Sequence, residues 1–507
     1  MKLRRWLLIL IVAFFCFKAS AQKIIYSEPA KDDTRRMNFE IAGKVGGNFL
    51  IYKTTRANKH IISVLDNDMK EIAANELDYL PNDDRMINVD FFSYNDFCYN
   101  IYQYQKKNVV YCMVAKIDGM GKKKGELVEL DTTHIGFAAS NKIYSVITSE
   151  DKSKIMVFKI NSRNKQLYIL STVLLNEKLE LLKKSRLNIK MEDRNEYLSD
   201  FSLDNDGDIA FSRFFRNSND NISSATLMIK SAQADSLTAH TLNIEKTWLD
   251  EIHIKPDNNN KRFFLASFYV KERRGNIEGY YYYIWDKLSA KPVLEGTSTF
   301  SEELRKEARG DAGVKTAFND HFIRNIIIRK DGGFIIGSEC YYTTSRFNNW
   351  NRWDYLYGSS YMSSYDYYYS PYYNYYWRNG NRFNNQAVRH HADNITVLSF
   401  DNKGNQEWNN VMGKSQYDDE SDNLLSYQMM NTGGQLHFLF NMQERRSNLL
   451  TDFSIAPDGQ LTRNPTLKNL DKGYDFMPKY ARQVGARQLI VPCQYRNYIC
   501  FAKIEYN

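Results

Sequence analysis

Three acidic residues are the best candidates for catalytic chemistry in this sequence. Asp90, Asp200 and Glu251 are expected near the starts of short strands that line a common axis. Two carboxylates about 5 to 10 Å apart could act as the acid and base of glycoside hydrolysis. Spacing along the chain does not establish that separation, so no catalytic residue is assigned.

Two clusters have the residue types of metal ligands but not the spacing. His390, His391 and Asp393 form one cluster, yet adjacent side chains on an extended chain point to opposite faces. Aspartates alternate through 204–208 in the other, but the distal Glu of an EF-hand is missing and a hairpin turn accounts for the segment better. The sequence therefore predicts no metal site and implies no cofactor.

Motifs of the common enzyme classes are absent from the sequence. It contains no Gly-x-Ser-x-Gly elbow, no phosphate-binding glycine loop and no Cys-x-x-Cys pair. We therefore expect a protein that is not an enzyme. The alternative is a polysaccharide-active hydrolase or lyase that uses carboxylates at a channel mouth.

The first 21 residues have the pattern of a signal peptide. Basic residues among positions 2–5 precede an apolar core from Trp6 to Phe17, and Ala19–Ala21 supplies small residues for signal peptidase. The apolar core is well short of the roughly 20 residues that span a bilayer. We expect cleavage before Gln22 and export to the periplasm, the outer membrane or the extracellular space.

The net charge of the chain does not indicate a nucleic-acid partner. The net charge of +8 falls to +4 once residues 1–21 are removed, because that segment holds four of the 68 Lys and Arg residues and none of the 60 acids. So weak a positive charge does not predict binding to nucleic acid. After the leader, no apolar run is long enough to cross a membrane.

Five cysteines remain after processing, so they cannot all pair within one chain. A two-residue turn at Arg496-Asn497 would place Cys493 opposite Cys500 in the last hairpin. An oxidising compartment would permit that pair to form a disulfide. Buried free thiols in strands are the other interpretation.

A repeat of hairpins runs through the chain. Apolar or aromatic runs of strand length alternate with turn formers that supply positive φ. The first turn of each unit is predicted near Gly46-Gly47, Asn95-Asp96, Asn141-Lys142, Asp206-Gly207, Asn258-Asn259, Asp331-Gly332, Thr432-Gly433 and Gly485. The second turn follows in most units, near Asn67-Asp68, Asp118-Gly119, Asn161 to Arg163, Asn402 to Gly404, and Asp458-Gly459. Two hairpins per unit make a four-stranded meander, which is one blade of a propeller.

The eighth unit is one strand short, and Lys23 to Ser27 is a short apolar strand without a partner of its own. Its addition to the last blade would close the ring and remove a sheet edge. With hairpins such as Asp204-Asn205-Asp206-Gly207, the chain resembles the β-propeller superfamily of exported bacterial proteins. The resemblance implies an all-β, eight-bladed propeller over residues 22–507, with a seven-bladed ring as the alternative.

The sixth unit carries an excess of about one blade length, at residues 343–393. A long link before it, from Glu295 to Phe322, is expected to hold a short helix capped by Ser301. In a propeller, both segments emerge on one face. We expect that face to be the functional one.

Aromatic residues dominate the insertion, with almost no aliphatic residue among them. The predicted binding residues are Trp350, Trp353, Tyr355, Tyr357, Tyr368, Tyr372, Tyr376 and Trp377. Tyrosine and tryptophan combine a broad stacking face with a polar tip, as adaptable binding surfaces do. Three interpretations stay open: an insertion without a ligand, a docking surface for another envelope protein, and a platform for glycans. The sequence as a whole favours an exported scaffold that binds protein or glycan in the cell envelope.

Overall fold

Antiparallel hairpins joined by short turns build a ring of eight sheets, an eight-bladed β-propeller as predicted. The computed structural model describes residues 22–507 except for 30–37, 56–58, 82–83, 140, 165, 218–219, 310–316, 346–351, 358–367, 370–387, 420, 445–446, 466–472, 497 and 507. The predicted signal peptide, residues 1–21, lies outside the described residues.

The first half of the ring holds four blades, preceded by the separate strand β1 (Lys23–Tyr26). Blade 1 consists of β2 (Asn38–Val45), β3 (Asn48–Thr54), β4 (His60–Leu65) and β5 (Glu71–Glu76). Blade 2 consists of β6 (Arg85–Ser93), β7 (Phe97–Lys106), β8 (Val109–Asp118) and β9 (Lys123–His134). Blade 3 consists of β10 (Ser145–Thr148), β11 (Lys154–Asn164), β12 (Leu167–Asn176) and β13 (Leu181–Lys190). Blade 4 consists of β14 (Glu196–Leu203), β15 (Ile209–Phe215), β16 (Ser224–Lys230) and β17 (Thr238–Thr241).

The second half adds the two short helices of the described residues. Blade 5 consists of β18 (Trp248–Leu249), β19 (His253–Asp257), β20 (Arg262–Val270), β21 (Ile277–Asp286) and β22 (Lys291–Thr299), followed by helix α1 (Glu302–Arg309). Blade 6 consists of β23 (His321–Ile328), β24 (Phe334–Ser345), β26 (Val388–Phe400) and β27 (Gln406–Asp418), with helix α2 (Arg352–Tyr357) and strand β25 (Tyr368–Tyr369) between β24 and β26. Blade 7 consists of β28 (Tyr427–Asn431), β29 (Leu436–Glu444), β30 (Ser447–Ile455) and β31 (Leu461–Arg463). Blade 8 consists of β32 (Tyr474–Phe476), a 3-10 turn (Pro478–Tyr480), β33 (Arg482–Gly485), β34 (Gln488–Tyr495) and β35 (Tyr498–Glu505).

Among the described residues, eight hydrophobic clusters are each shared by two neighbouring blades, and a ninth, smaller cluster lies at blade 6. Between blades 5 and 6, for example, the Phe334 ring lies 4.5 Å from Phe264 and 4.8 Å from Phe400. The cluster that includes Ile41 and Phe501 joins blade 8 to blade 1. Each blade therefore buries both of its faces against its neighbours, and the closed ring completes the core of every sheet.

The amino-terminal strand closes the ring, as predicted. β1 pairs with β35 in the register Lys23 to Glu505 and Tyr26 to Ala502. The Tyr26 ring also stacks on Tyr474 with 4.5 Å between centroids. β1 is therefore the outermost strand of blade 8, and it covers an edge that β35 would otherwise expose.

One five-residue turn recurs between strands. The side-chain oxygen of its first residue accepts the N–H groups of the third and fifth residues, and its fourth residue has positive φ. The first residues of five such turns are Asp66, Asp118, Asn176, Asp204 and Asp401. Gly207 occupies the fourth position with φ 92°, where a side chain would be strained. The segment 204–208 is thus a hairpin turn, as the sequence analysis favoured.

Blade 3 departs from the predicted turns. Asn141-Lys142 lies in the link before β10, and the first turn of the blade lies at Ser149–Lys154 instead. Lys152 adopts the left-handed conformation there, with φ 60°. The predicted second turn at Asn161 to Arg163 is also wrong, because these residues belong to β11.

Two local predictions agree with the structure. The Leu304 N–H donates to the Ser301 hydroxyl at 3.2 Å, so Ser301 caps α1. Cys493 and Cys500 face each other across β34 and β35, with free thiols and 2.9 Å between sulfurs.

Among the described residues, no helix is long and apolar enough to cross a membrane.

Candidate binding face

The connections between blades and the connections between the second and third strands of each blade emerge on one face of the ring, called here the upper face. It receives the long link with α1 and the segment between β24 and β26, called here the insertion (residues 346–387). The flanking strands β24 and β26 pair up to Ser345 and Val388. The sequence assigned residues 343–393 to this feature.

The structure describes two parts of the insertion, α2 and β25. Of the predicted binding residues, Tyr355 is described with its side chain. The backbones of Trp353 and Tyr357 lie in α2, and that of Tyr368 lies in β25. Four of the predicted binding residues lie outside the described residues: Trp350, Tyr372, Tyr376 and Trp377.

Tyr355 packs into the ring. Its ring centroid lies 4.5 Å from that of Phe322 and 4.9 Å from that of Tyr341. A side-chain hydrogen bond joins it to Arg324, and burial raises the pKa of the Tyr355 hydroxyl. Its role in this structure is to hold α2 on blade 6, which its residue type alone did not indicate.

Arg352 holds the other side of α2. Its Nη2 and Nε donate to the Asp250 carboxylate at 2.5 and 2.9 Å. The guanidinium also lies 3.9 Å from the Phe322 ring centroid, as arginine does when it stacks on an aromatic face. Both charged groups are almost completely buried. An ion pair buried in this way fixes α2 to the start of blade 5.

A buried charge network lies beneath α2 and joins blades 6 and 7. Glu339 lies 3.3 Å from the Arg324 Nε and 2.9 Å from the Lys414 Nζ, and it accepts a 2.5 Å hydrogen bond from the Ser426 hydroxyl. Glu339 and Lys414 have no exposed side-chain surface. Burial lowers the pKa of Lys414, although Glu339 opposes that shift. Sequence reasoning missed this network because its members are far apart along the chain.

Strand β25 connects the insertion to blade 3. Tyr368 pairs with Asn161 of β11 and Tyr369 with Ile160. β10 pairs with the same edge of β11 but reaches only Phe158, so β25 continues that edge beyond the end of β10. The insertion therefore starts on blade 6 and adds a short strand to the inner edge of blade 3, so it is attached to two separate parts of the upper face.

The three candidate carboxylates make contacts between or within blades. Glu251 accepts the Ile323 N–H of blade 6 at 2.8 Å, and Asp200, at φ 54°, accepts the Ile254 N–H of blade 5. Asp90 pairs with Lys142, the residue of the link to blade 3, at 2.7 Å. Burial raises the pKa of Asp200. Each of the three carboxylates thus ties its own blade to the next blade or to the link that leads to it.

His253 extends the Glu251 contact. Its Nε2 lies 3.1 Å from the Glu251 Oε2, and its side chain is 32 % exposed. Burial opposes the imidazolium, but the Glu251 carboxylate outweighs it and raises the pKa of His253 to about 9. His253 and Glu251 therefore form an ion pair at the start of blade 5.

The two candidate metal clusters have other partners. His390 bonds to the Tyr341 hydroxyl at 2.9 Å, whereas His391 bonds to Thr344 at 3.1 Å, so the adjacent rings face apart. Around the 204–208 turn, the Lys287 ammonium bonds to Asp204 and lies 2.9 and 2.8 Å from the Asp206 and Asp208 carboxylates. No group of His, Cys, Asp or Glu in the described ranges has metal-binding geometry.

Comparisons with known proteins identify no family for this chain. No family model matches the chain, and no curated protein matches it. Among solved structures, the WD40 domain of SCAP from fission yeast shares 7 % identity over 96 % of this chain and 98 % of its own, with a TM-score of 0.41. An ulvan lyase of a polysaccharide lyase family shares 10 % identity over 81 % and 90 %, with a TM-score of 0.38. An oligogalacturonate lyase in complex with manganese shares 8 % over 96 % and 97 %, with a TM-score of 0.37. Similarities at this level carry no inference about activity.

Proposed function

We propose that this protein is an exported scaffold of the cell envelope and that its insertion docks a second envelope protein. The observation that carries the proposal is the attachment of the insertion at two blades, through α2 on blade 6 and β25 on blade 3. A binding segment held at two points loses less conformational freedom when its partner arrives.

Composition supports docking by this segment. Residues 358–387 contain nine tyrosines and no Leu, Ile or Val. Such a segment cannot form an ordinary apolar core, whereas tyrosine and arginine are enriched at protein interfaces. Arg378 and Arg382 lie within it against one acid, Asp366. The partner is therefore expected to offer aromatic or apolar pockets with some acidic rim.

Export is the second part of the proposal. The leader pattern of residues 1–21 supports it, and cleavage before Gln22 would leave the closing strand β1 complete. Mass spectrometry of the protein recovered from its host should give a chain that begins at Gln22. Recovery of an uncleaved chain in the cytoplasm would contradict export.

Replacement of residues 358–387 by a Gly-Ser linker tests the docking. Crosslinking in intact cells should identify an envelope partner that the wild-type chain captures and the linker variant does not, and purified partner should bind only the wild type. Lys261→Ala, on the opposite face, serves as the control because it should leave capture unchanged. Equal binding of the purified partner by the linker variant would contradict the proposal. Loss of glycan-array signal without loss of any protein partner would assign the insertion to glycans instead.

A further inference from the structure

A cleft of about 210 Å³ opens on the upper face between blades 4 and 5, outside the insertion. Its lining residues are Asn217, Asp220, Asn221, Ser223, Trp248 and Arg273. They come from the connection between β15 and β16, the connection between β20 and β21, and β18. The cleft is smaller than the roughly 300 to 1,000 Å³ of pockets for drug-sized ligands, so its size suits a single ring of a longer chain.

A buried, hydrogen-bonded carboxylate lines the cleft. Asp220 is 2 % exposed, and its carboxylate accepts from the Arg273 Nε and from the Asn221 N–H at 2.9 Å. A second guanidinium, that of Arg274, lies 3.8 Å away. Arg273 lines the cleft beside this carboxylate, whereas Arg274 is not among the lining residues.

Several donors of the cleft have no partner within the described residues. Asn221 is 4 % exposed and accepts the Arg274 N–H at 2.8 Å through Oδ1, while no described group accepts from its Nδ2. The Nη groups of Arg273 and the indole N–H of Trp248 are also without a described acceptor. Trp248 packs on the core between blades 5 and 6 and lines the cleft as well.

We propose that this cleft binds one ring of an acidic saccharide. A sugar ring can stack on the indole of Trp248. Its hydroxyls would accept from Asn221 and donate to Asp220. The carboxylate of a uronic acid would take the unpaired N–H groups of Arg273, an acceptor that the guanidinium geometry matches. This site is separate from the insertion and does not depend on the proposed docking function.

Titration of the mature chain with trisaccharides of galacturonate, glucuronate and mannuronate tests the proposal, with tryptophan fluorescence and calorimetry as readouts. At least one uronate should bind saturably, and the neutral galactose trisaccharide should bind at least tenfold more weakly. Arg273→Gln should weaken uronate binding at least tenfold. Arg274→Gln removes the same charge one residue away and should change binding less than threefold, and thermal melting should show both variants folded.

The proposal would be overturned by no saturable uronate binding up to 10 mM, by equal binding of the neutral trisaccharide, or by equal effects of the two arginine variants. Competition by acetate as effective as by the trisaccharide would reduce the site to a simple anion contact and would also overturn it. The linker variant of residues 358–387 should bind uronates like the wild type. Docking and saccharide binding can therefore fail independently.

Discussion

At the residue scale, Lys287 stabilises a turn whose aspartate carboxylates would otherwise repel one another. Asp204, Asp206 and Asp208 carry three negative charges on five residues, and the Lys287 ammonium of blade 5 lies among them. Burial raises the pKa of Asp204, whereas the hydrogen bonds from Lys261 and Lys287 lower that of Asp206. The sequence predicted a hairpin turn and no metal ion here, but it did not indicate that a lysine from another blade lies among the carboxylates.

Lys287→Ala should lower the free energy of unfolding by about 3 kcal/mol, because it leaves partly buried carboxylates unpaired. Lys261→Ala removes the exposed partner of Asp206 and should cost less than about 1 kcal/mol. Urea denaturation of both variants at pH 7 measures the difference. Similar losses in the two variants would show that the three carboxylates do not depend on Lys287.

His253 should make stability depend on pH. Its folded pKa of about 9 lies above the roughly 6.5 of an unpaired histidine. The stabilisation is therefore complete below about pH 6.5 and is lost as the pH rises through about 9. Since the side chain is partly exposed to solvent, we expect a loss of about 1 kcal/mol between pH 6.5 and 9.5.

Denaturation of the wild type and of His253→Gln at those two pH values measures this loss. The variant should lack the increment, because it has no group that titrates at this position. Glu251 keeps its Ile323 N–H bond in the variant. An identical pH dependence in the two proteins would contradict the prediction.

At the element scale, α2 is a six-residue helix that depends on its contacts for stability. Helices this short are not stable alone in water. Arg352 binds Asp250 of blade 5, and Tyr355 and Leu356 pack on the small apolar cluster of blade 6. The insertion therefore begins from a fixed point on the ring.

Arg352→Gln should lower the free energy of unfolding by about 3 kcal/mol, since it leaves Asp250 buried without its partner. Arg389→Gln removes an exposed Arg-Asp pair of the same blade and should lower the free energy of unfolding far less than Arg352→Gln does. Addition of Asp250→Asn to Arg352→Gln should recover part of the loss. Limited proteolysis should also cut the insertion faster in Arg352→Gln, and unchanged rates would contradict the anchoring role.

Elements that the sequence predicted correctly have turn residues with a distinct conformational preference. Asp204 and Gly207 carry the hydrogen bonds and the positive φ of their turn, so the pattern was readable. In blade 3 the positive φ falls on Lys152, whose residue type gives no such signal, and the turn was placed wrongly. Asn161 was read as a turn former, but pairing of β11 with β12 overrides that preference.

At the scale of the whole molecule, closure of the ring combines the two ends of the chain in blade 8. The prediction succeeded because β1 is apolar and the last unit lacked a strand, two facts visible in the sequence. The contacts of the insertion were not predictable. The Arg352 to Asp250 ion pair and the β25 to β11 pairing join residues that only the ring brings together.

Deletion of residues 22–27 should lower the free energy of unfolding by about 3 to 5 kcal/mol, because Ile24 and Tyr26 lose their packing on blade 8. The exposed edge of β35 should also cause association that increases with protein concentration. Thermal melting and light scattering measure both effects. A synthetic peptide of residues 22–27 should restore the monomer, and a truncated chain that stays monomeric with unchanged melting would contradict the role of β1.

The pairing of β1 with β35 also sets the order of events during biosynthesis. Translation at about 5 to 20 residues per second makes the opening strand wait on the order of 25 to 100 s before its partner exists. During that interval β1 has no partner strand and the ring stays open. A chain interrupted near its end would carry seven finished blades and one incomplete blade, so cellular quality control would have a single, recognisable defect by which to discard it.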